Sequence, residues 1–285
     1  METELRPLLQ QMAEGKLVGL IGRPVSQSAG QFVYNSIFSE MAIDAFYAAI
    51  DLAPVNLAPF LKRAGDHFFA LNVTSPHKNT VLDFCDKLSP AAGKTQSVNL
   101  LSFSGSRITG DNLDVAGFES LIDRNKVCLN DMNVVIVGSG GAARSVMHAL
   151  SGRYTPASLH VASRDPELTE RKLEAYDLDY PVISYSDMFR LCDIVINCTP
   201  ESVERVLPPP PPHRAKSGVA IDLVYNPPRT MFLKIMEENG WRIINGEEMF
   251  IGQGLATLEK MFDLSGKKVE DLFRKEFRKF RGISP

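Results

Sequence analysis

Short apolar runs, each closed by glycine, proline or a polar turn, alternate along the chain with longer stretches in which apolar residues recur at helical spacing. "LVGLIG" (17–22) reads as a first strand. Residues 28–43 place Phe32, Ile37, Phe38 and Met41 on one helical face. "AFYAAI" (45–50) and "FFALNV" (68–73) read as further strands, with the helical "VNLAPFLKRA" between them. "HKNTVLDFCDKL" has the spacing of another helix, and "SVNLLSFSGSRITGDNLD" that of a hairpin around a serine/glycine turn. This half therefore reads as one α/β unit.

The second half opens on "MNVVIVGSGGAARSVMHAL" (132–150), a β-branched strand that runs through a glycine turn into a helix. Strands are expected again within 157–165, 182–187, 192–200 and 218–228, separated by helical stretches. That order predicts a mostly parallel, doubly wound sheet. Pro208–Pro212 is five consecutive prolines, an extended connecting loop that cannot enter a sheet interior. The tail "SGKKVEDLFRKEFRKF" places Val269, Leu272, Phe273 and Phe277 on one side of a helix with charged outer faces, a packing helix. The expected organisation is an α/β lobe over 1–113, a Rossmann-type lobe over 114–245, and C-terminal helices over 246–285 that return to the first lobe.

Composition narrows the class. Of 285 residues, 44% are hydrophobic and 23% charged, the balance of a globular protein. A net charge of −3 argues against a nucleic-acid binder that works by bulk electrostatics. The charged start "METELRPLLQQMAEGK" lacks the apolar core of a secretion signal, and no apolar run is long enough to span a membrane. Cys85, Cys128, Cys192 and Cys198 form no CxxC pair, so they read as reduced, buried small hydrophobes. Together these predict a cytoplasmic protein with no nucleic-acid or membrane partner; no bound metal is expected, and monomer and homodimer are both left open.

"VVIVGSGGAAR" carries chemistry. Gly138-x-Gly140-x-x-Ala143 matches the dinucleotide fingerprint, and it stands where that motif must stand, between a strand and a helix. Gly138 allows the tight turn, while Gly140 and Gly141 let the backbone approach a pyrophosphate. Ser139, Gly141 and Ala142 lead into a helix whose free N–H groups and dipole face that anion. The next strand ends in Ser163-Arg164-Asp165. An acid there holds the ribose diol of NAD and an arginine the 2′-phosphate of NADP; the chain has both, and the reading leans to NADP with NAD as the alternative.

"GRPVSQS", "NVTSPHK", "SVNLL", "GDNLD", "VGSGGAAR", "VINCTP", "DLVYNPPRT" and "NGEEMFIGQ" occur in this order over residues 17–262. In these stretches the chain resembles the shikimate dehydrogenase family. The resemblance implies a substrate-binding α/β lobe, an NADP-binding Rossmann lobe, and reversible hydride transfer between shikimate and 3-dehydroshikimate. It implies Lys78 and Asp114 as the catalytic pair; hydride transfer to a ketone leaves an alkoxide that needs a proton or a positive charge beside it. It further implies Ser28, Thr74, Asn99, Tyr225 and Gln253 as substrate contacts, and Thr199, Leu223 and Gly246 beside the nicotinamide. The chain departs from the family pattern at Gly30, where a second serine is usual, at Gln31 in place of proline, at Leu113 in place of threonine, and in "ESVERV" (201–206). Alternative expectations are a relative acting on quinate or another cyclic hydroxy acid, or a dinucleotide-binding sensor without activity.

Overall fold

The computed structural model describes residues 15–190, 192–199, 207, 210 and 218–282. Most of the proline run and "ESVERV" therefore lie outside the described residues. The chain divides into two compact units, one of residues up to Leu113 together with those from Leu255 on, the other Asp114–Gly254.

The first unit is built on a mixed six-stranded sheet of order β2-β1-β3-β5-β6-β4. Its strands are β1 (Lys16–Gly22), β2 (Ala45–Asp51), β3 (Phe68–Val73), β4 (Lys87–Leu88), β5 (Leu100–Ser104) and β6 (Arg107–Asp111). β1 pairs in parallel with β2 and β3, and the predicted hairpin β5–β6 adds antiparallel to β3. β1 is buried from Leu17 to Gly22, which is why it reads as continuous apolar sequence rather than an alternation. Its helices are α1 (Gly30–Glu40), α2 (Leu57–Ala64) and the short α3 (Pro90–Thr95). Along the open edge of β2, two amide side chains of α1 stand in for a neighbouring strand. Asn35 bonds both N–H and C=O of Tyr47, at 2.8 and 2.9 Å, and Gln31 Oε1 accepts Ala49 N–H at 2.9 Å. These groups are then unavailable to a strand from another chain.

One predicted helix is not formed. Residues 77–88 make a 3-10 turn, Thr80–Phe84, followed by β4, which pairs with β6. The Lys78 carbonyl is taken by Val98 N–H at 2.8 Å, and Asp86 N–H donates to Ile108 O at 2.8 Å. Docking on the hairpin overrides the local periodicity.

The second unit carries a wholly parallel sheet of order β12-β11-β10-β7-β8-β9. Its strands are β7 (Asn133–Val137), β8 (Ser158–Ser163), β9 (Val182–Ser184), β10 (Ile194–Asn197), β11 (Val219–Asp222) and β12 (Arg242–Ile244). Helices α4 (Asp114–Asn125), α5 (Gly141–Arg153), α6 (Pro166–Glu174) and α7 (Met231–Glu238) belong to it. Val134 and Ile136 point into one core with Met147 and Leu150 of α5, and Val135 and Val137 into another with Phe232 and Met236 of α7. The division between units falls within α8 (Glu247–Phe262). The last helix, α9 (Lys267–Phe280), buries the predicted stripe of Val269, Leu272, Phe273 and Phe277.

The cysteines depart from expectation. All four are free, but Cys128 is exposed and Cys85, Cys192 and Cys198 are only partly buried. Among the described residues no helix is long and apolar enough to cross a membrane, and no group of three or more acidic, histidine or cysteine side chains is placed to hold a metal.

Candidate functional site

In the first unit the strand order reverses at β1, with β2 on one side and β3 on the other, so the loops leaving β1 and β3 emerge together at the carboxyl edge. They are in close contact. A side chain at Gly22 would collide with Thr74 Cγ2 and stand 2.9 Å from the Ser75 carbonyl. Thr74 N–H donates to Ile21 O, and Arg23 N–H to Ser75 O, both at 2.9 Å. Glycine at 22 is thus the condition for Thr74 to sit beside the loop that carries Ser28. Ser28 is partly buried, and its Oγ accepts Gly30 N–H at 3.2 Å where α1 begins.

Lys78 follows a cis Ser75–Pro76 bond and is partly buried. The neighbouring His77 is buried, and its Nε2 donates to the Leu52 carbonyl at 2.7 Å, tying the lysine turn to the end of β2. Val98 N–H holds the other side of the turn through the Lys78 carbonyl. Asn99 comes next: its N–H donates to Asp111 O at 2.9 Å, its carbonyl accepts Val73 N–H at 2.8 Å, and its Oδ1 accepts Leu113 N–H at 2.7 Å. With Oδ1 so occupied, the side chain turns its NH2, a donor, outward from that bond. Ser28, Thr74, Lys78 and Asn99 are therefore gathered on one edge of one sheet.

Asp111 braces this edge. Ser89 donates to it at 2.5 Å, Asn112 N–H at 2.8 Å, and Lys260 of α8 forms an ion pair at 2.6 Å. Burial opposes its charge, but the hydrogen bonds from Lys260, Ser89 and Asn112 and the lysine charge outweigh it and hold the carboxyl below its usual value.

In the second unit the order reverses at β7, and the loops after β7 and β10 meet there. Gly138 has φ +101°, a left-handed conformation, and a side chain on it would lie 2.7 Å from Thr199 Cγ2. Gly140 caps α5 with open space where a side chain would be. That is the cradle a pyrophosphate needs: bare backbone, then the N–H groups of Gly141 and Ala142 in the first turn. Arg144 supports it from below. Its side chain is buried, donates to Ser139 O at 3.1 Å, and lies 4.1 Å over the Tyr176 ring.

Gly138 N–H donates to Ala162 O at 3.0 Å, which brings the end of β8, and so Ser163, Arg164 and Asp165, beside the cradle. The two charged candidates separate here. Asp165 caps α6, its Oδ1 accepting Leu168 N–H at 3.0 Å, whereas Arg164 is exposed. Ser163 is spent on local bonds to Thr169 and Asp165.

Leu223 and Gly246 are brought together: a side chain at Gly246 would overlap the Leu223 carbonyl, and Gly246 N–H donates to Val224 O at 3.1 Å. Asp114 opens α4 and is 5% exposed. One turn on, Gly117 lets α4 approach α8, since a side chain there would stand 2.8 Å from Met249 O and 3.0 Å from Gln253 Cβ. Gln253 donates to Phe250 O at 3.0 Å, and Tyr225 packs on the Phe250 ring at 4.4 Å between centroids. Asp114, Tyr225 and Gln253 are thus collected around the first turns of α8.

Sequence reasoning missed the buried polar residues beneath both edges. Asp222, fully buried, accepts Asn197 Nδ2–H at 3.2 Å, Val224 N–H at 3.1 Å and Thr230 Oγ1–H at 2.6 Å. Asn197 in turn accepts the Thr199 hydroxyl at 2.6 Å and its N–H at 3.0 Å. Burial, and then the Asp222 charge, push the Cys198 thiol well above its usual value. In the first unit Asn72, Tyr47, His77 and Thr257 play the comparable part. The signal was a polar residue at the end of each apolar strand, "NV" and "VIN"; the partners lie too far along the chain to be read.

Similarity to known proteins agrees with this geometry. The family model described as the shikimate dehydrogenase substrate binding domain matches residues 20–101. The chain is 41% identical over 268 residues to the shikimate dehydrogenase (NADP(+)) of Thermoplasma acidophilum, covering 92% of this chain and 95% of that protein. The structure matches a chorismate mutase/shikimate 5-dehydrogenase fusion protein from Clostridium acetobutylicum with a TM-score of 0.79 at 30% identity, over 94% of this chain and 99% of that one. It matches a shikimate dehydrogenase solved in complex with NADP+ with a TM-score of 0.80 at 26% identity, over 96% and 97% of the two chains. Identity of this size over nearly the full length of both chains, on the same two-sheet architecture, means that the chain belongs to the shikimate dehydrogenase family.

Proposed function

We propose that this chain catalyses the reversible NADP-dependent interconversion of 3-dehydroshikimate and shikimate. The gathering of Ser28, Thr74, Lys78 and Asn99 on one sheet edge, in a chain of this family, is the observation that supports the reading most.

The residues present fit a dinucleotide, because Gly140 leaves open the space where a side chain would block an anion at the start of α5. NADP, when bound, supplies hydride to the substrate carbonyl carbon or accepts it from the alcohol. Gly138–Ala142 hold the pyrophosphate. Arg164 pairs with the 2′-phosphate, and Asp165 does not oppose it, because its carboxylate is engaged at the α6 cap. Thr199, Leu223 and Gly246 border the nicotinamide.

Lys78 and Asp114 share the proton work. As hydride reaches the carbonyl carbon, the C=O π pair moves onto oxygen; the Lys78 ammonium stabilises that charge and delivers the proton. Asp114 orients the ammonium, and in the oxidising direction the proton returns to the lysine. Ser28 binds the ring carboxylate, and Thr74, Asn99, Tyr225 and Gln253 hold the ring through its polar groups. The four unpaired thiols suit a reducing compartment, and we place the enzyme in the cytoplasm.

The test is turnover of purified chain with shikimate and NADP, followed by absorbance of the reduced cofactor, with quinate and NAD as comparators. Absence of turnover with shikimate and NADP overturns the reading. Lys78→Ala should lower kcat by about 10²- to 10⁴-fold and change KM for shikimate only a few-fold.

A further inference from the structure

Beneath the edge that carries Ser28, Thr74 and Asn99 lies a closed circuit of four buried side chains. The Tyr47 hydroxyl of β2 donates to Asn72 Oδ1 of β3 at 2.9 Å. Asn72 Nδ2 donates to the Asn99 carbonyl at 3.3 Å and to Thr257 Oγ1 of α8, 185 residues away, at 3.4 Å. Thr257 is hydrogen-bonded to the Tyr34 hydroxyl of α1. The Tyr34 and Tyr47 rings close the loop, stacked with centroids 4.4 Å apart and planes 5° from parallel. Exposures of 2% for both tyrosines, 6% for Asn72 and 1% for Thr257 leave little room for water to substitute for any of these bonds.

The orientation of the Asn72 amide is determined by chemistry. The Asn99 carbonyl only accepts, so Nδ2 must face it, and Oδ1 is left for the Tyr47 O–H. Two members of the circuit, Asn72 and Tyr47, reach the segments assigned to the substrate. Asn72 is two residues before Thr74 and bonds the main chain of Asn99. Tyr47 also reaches the third segment: a β-carbon on Gly30 would lie 3.5 Å from its hydroxyl oxygen and 3.4 Å from Ser28 Oγ.

We propose that Tyr47 is a positioning residue for substrate recognition, whose hydroxyl locks the Asn72 amide and thereby sets the spacing of the three segments that carry Ser28, Thr74 and Asn99. This rests on the function proposed above. It assigns Tyr47 no contact with the reacting atoms, so its removal acts on recognition of the ring and leaves the hydride and proton steps in place.

Tyr47→Phe keeps the ring and its stack and removes only the donor. In the full-length chain KM for shikimate should rise about 5- to 20-fold, with kcat within about threefold and KM for NADP unchanged. Thr257→Val removes the other arm and should act in the same direction. In the double variant the rise in KM should be close to that of the stronger single variant, because both break one circuit. A folded Tyr47→Phe protein with unchanged KM overturns the inference while wild-type turnover upholds the activity. Multiplying effects in the double variant also overturn it. If Tyr47→Phe does not fold, Thr257→Val carries the KM test alone. Failure of wild-type protein to turn over shikimate overturns the activity and this inference together.

Discussion

The two units solve the same problem with different chemistry. Each brings two loops to the carboxyl edge of a sheet and places a buried polar side chain beneath them, Asn72 in the first and Asp222 in the second. Asp222 is a carboxylate with three donors, and its side-chain partners, Asn197 and Thr230, lie 25 and 8 residues away. Asn72 is a neutral amide whose side-chain partners lie 25 and 185 residues away. A buried charge without partners is costly, so it is satisfied by strands and turns that form with it. A neutral amide tolerates weaker, longer bonds, here of 3.3 Å to the Asn99 carbonyl and 3.4 Å to Thr257 of α8. These bonds of the second unit's edge join residues within about 25 positions of one another, whereas the first unit's edge also draws on Thr257 and Lys260, beyond Leu255.

That contrast can be broken by measurement. Asp222→Ala should have the largest effect, about 3 kcal/mol or more of stability in urea, because it removes the acceptor of two buried side-chain donors and of the Val224 N–H together. Asn72→Ala should cost less, about 2 kcal/mol, since Thr257 keeps Tyr34 and the Asn99 carbonyl keeps Val73 N–H, so the loss falls mainly on the Tyr47 hydroxyl. An equal or larger loss in Asn72→Ala removes the distinction between charged and neutral hubs.

The smallest effect concerns the Lys260–Asp111 pair, the second tie between α8 and the substrate edge. Lys260 is half exposed, so Lys260→Met should cost only about 0.5–1 kcal/mol at neutral pH. The folded Asp111 carboxyl titrates below its usual 3.8, so its contribution is fully present above that value and is lost as pH falls through the folded value. Urea midpoints of wild type and Lys260→Met should therefore differ at neutral pH and converge as pH falls below 3.8 and through the folded Asp111 value. A gap that persists in acid means the pair does not act through Asp111.

Much of the fold was legible in apolar runs and punctuation. β1, β3 and β7 read as strands because each is buried on both faces, and α9 read as a helix because one face is apolar. The stretch 77–88 did not, because its helical periodicity was outweighed by bonds from Val98 and Ile108, which no local pattern contains. For the candidate site, Gly138 and Gly140 stood out by their spacing between a strand and a helix, whereas Lys78 and Asp114 were singled out by the family resemblance of the turns that carry them. Asp165 illustrates the reverse: its identity suggested a ribose contact, and only its bond to Leu168 N–H makes it a helix cap.

By itself the sequence indicated most of the elements, the glycine turn between β7 and α5, and the candidate side chains proposed for acid–base chemistry. These depend on spacing, backbone freedom and side-chain type, all local properties. Tertiary structure alone decided how those side chains are held. Thr74 reaches the Ser28 loop because Gly22 has no side chain, Thr199 reaches Gly138 because that glycine has none either, and Asn72 meets Tyr47 and Thr257 through strand order and the return of α8. Such contacts join residues far apart along the chain, so no pattern of neighbours could state them.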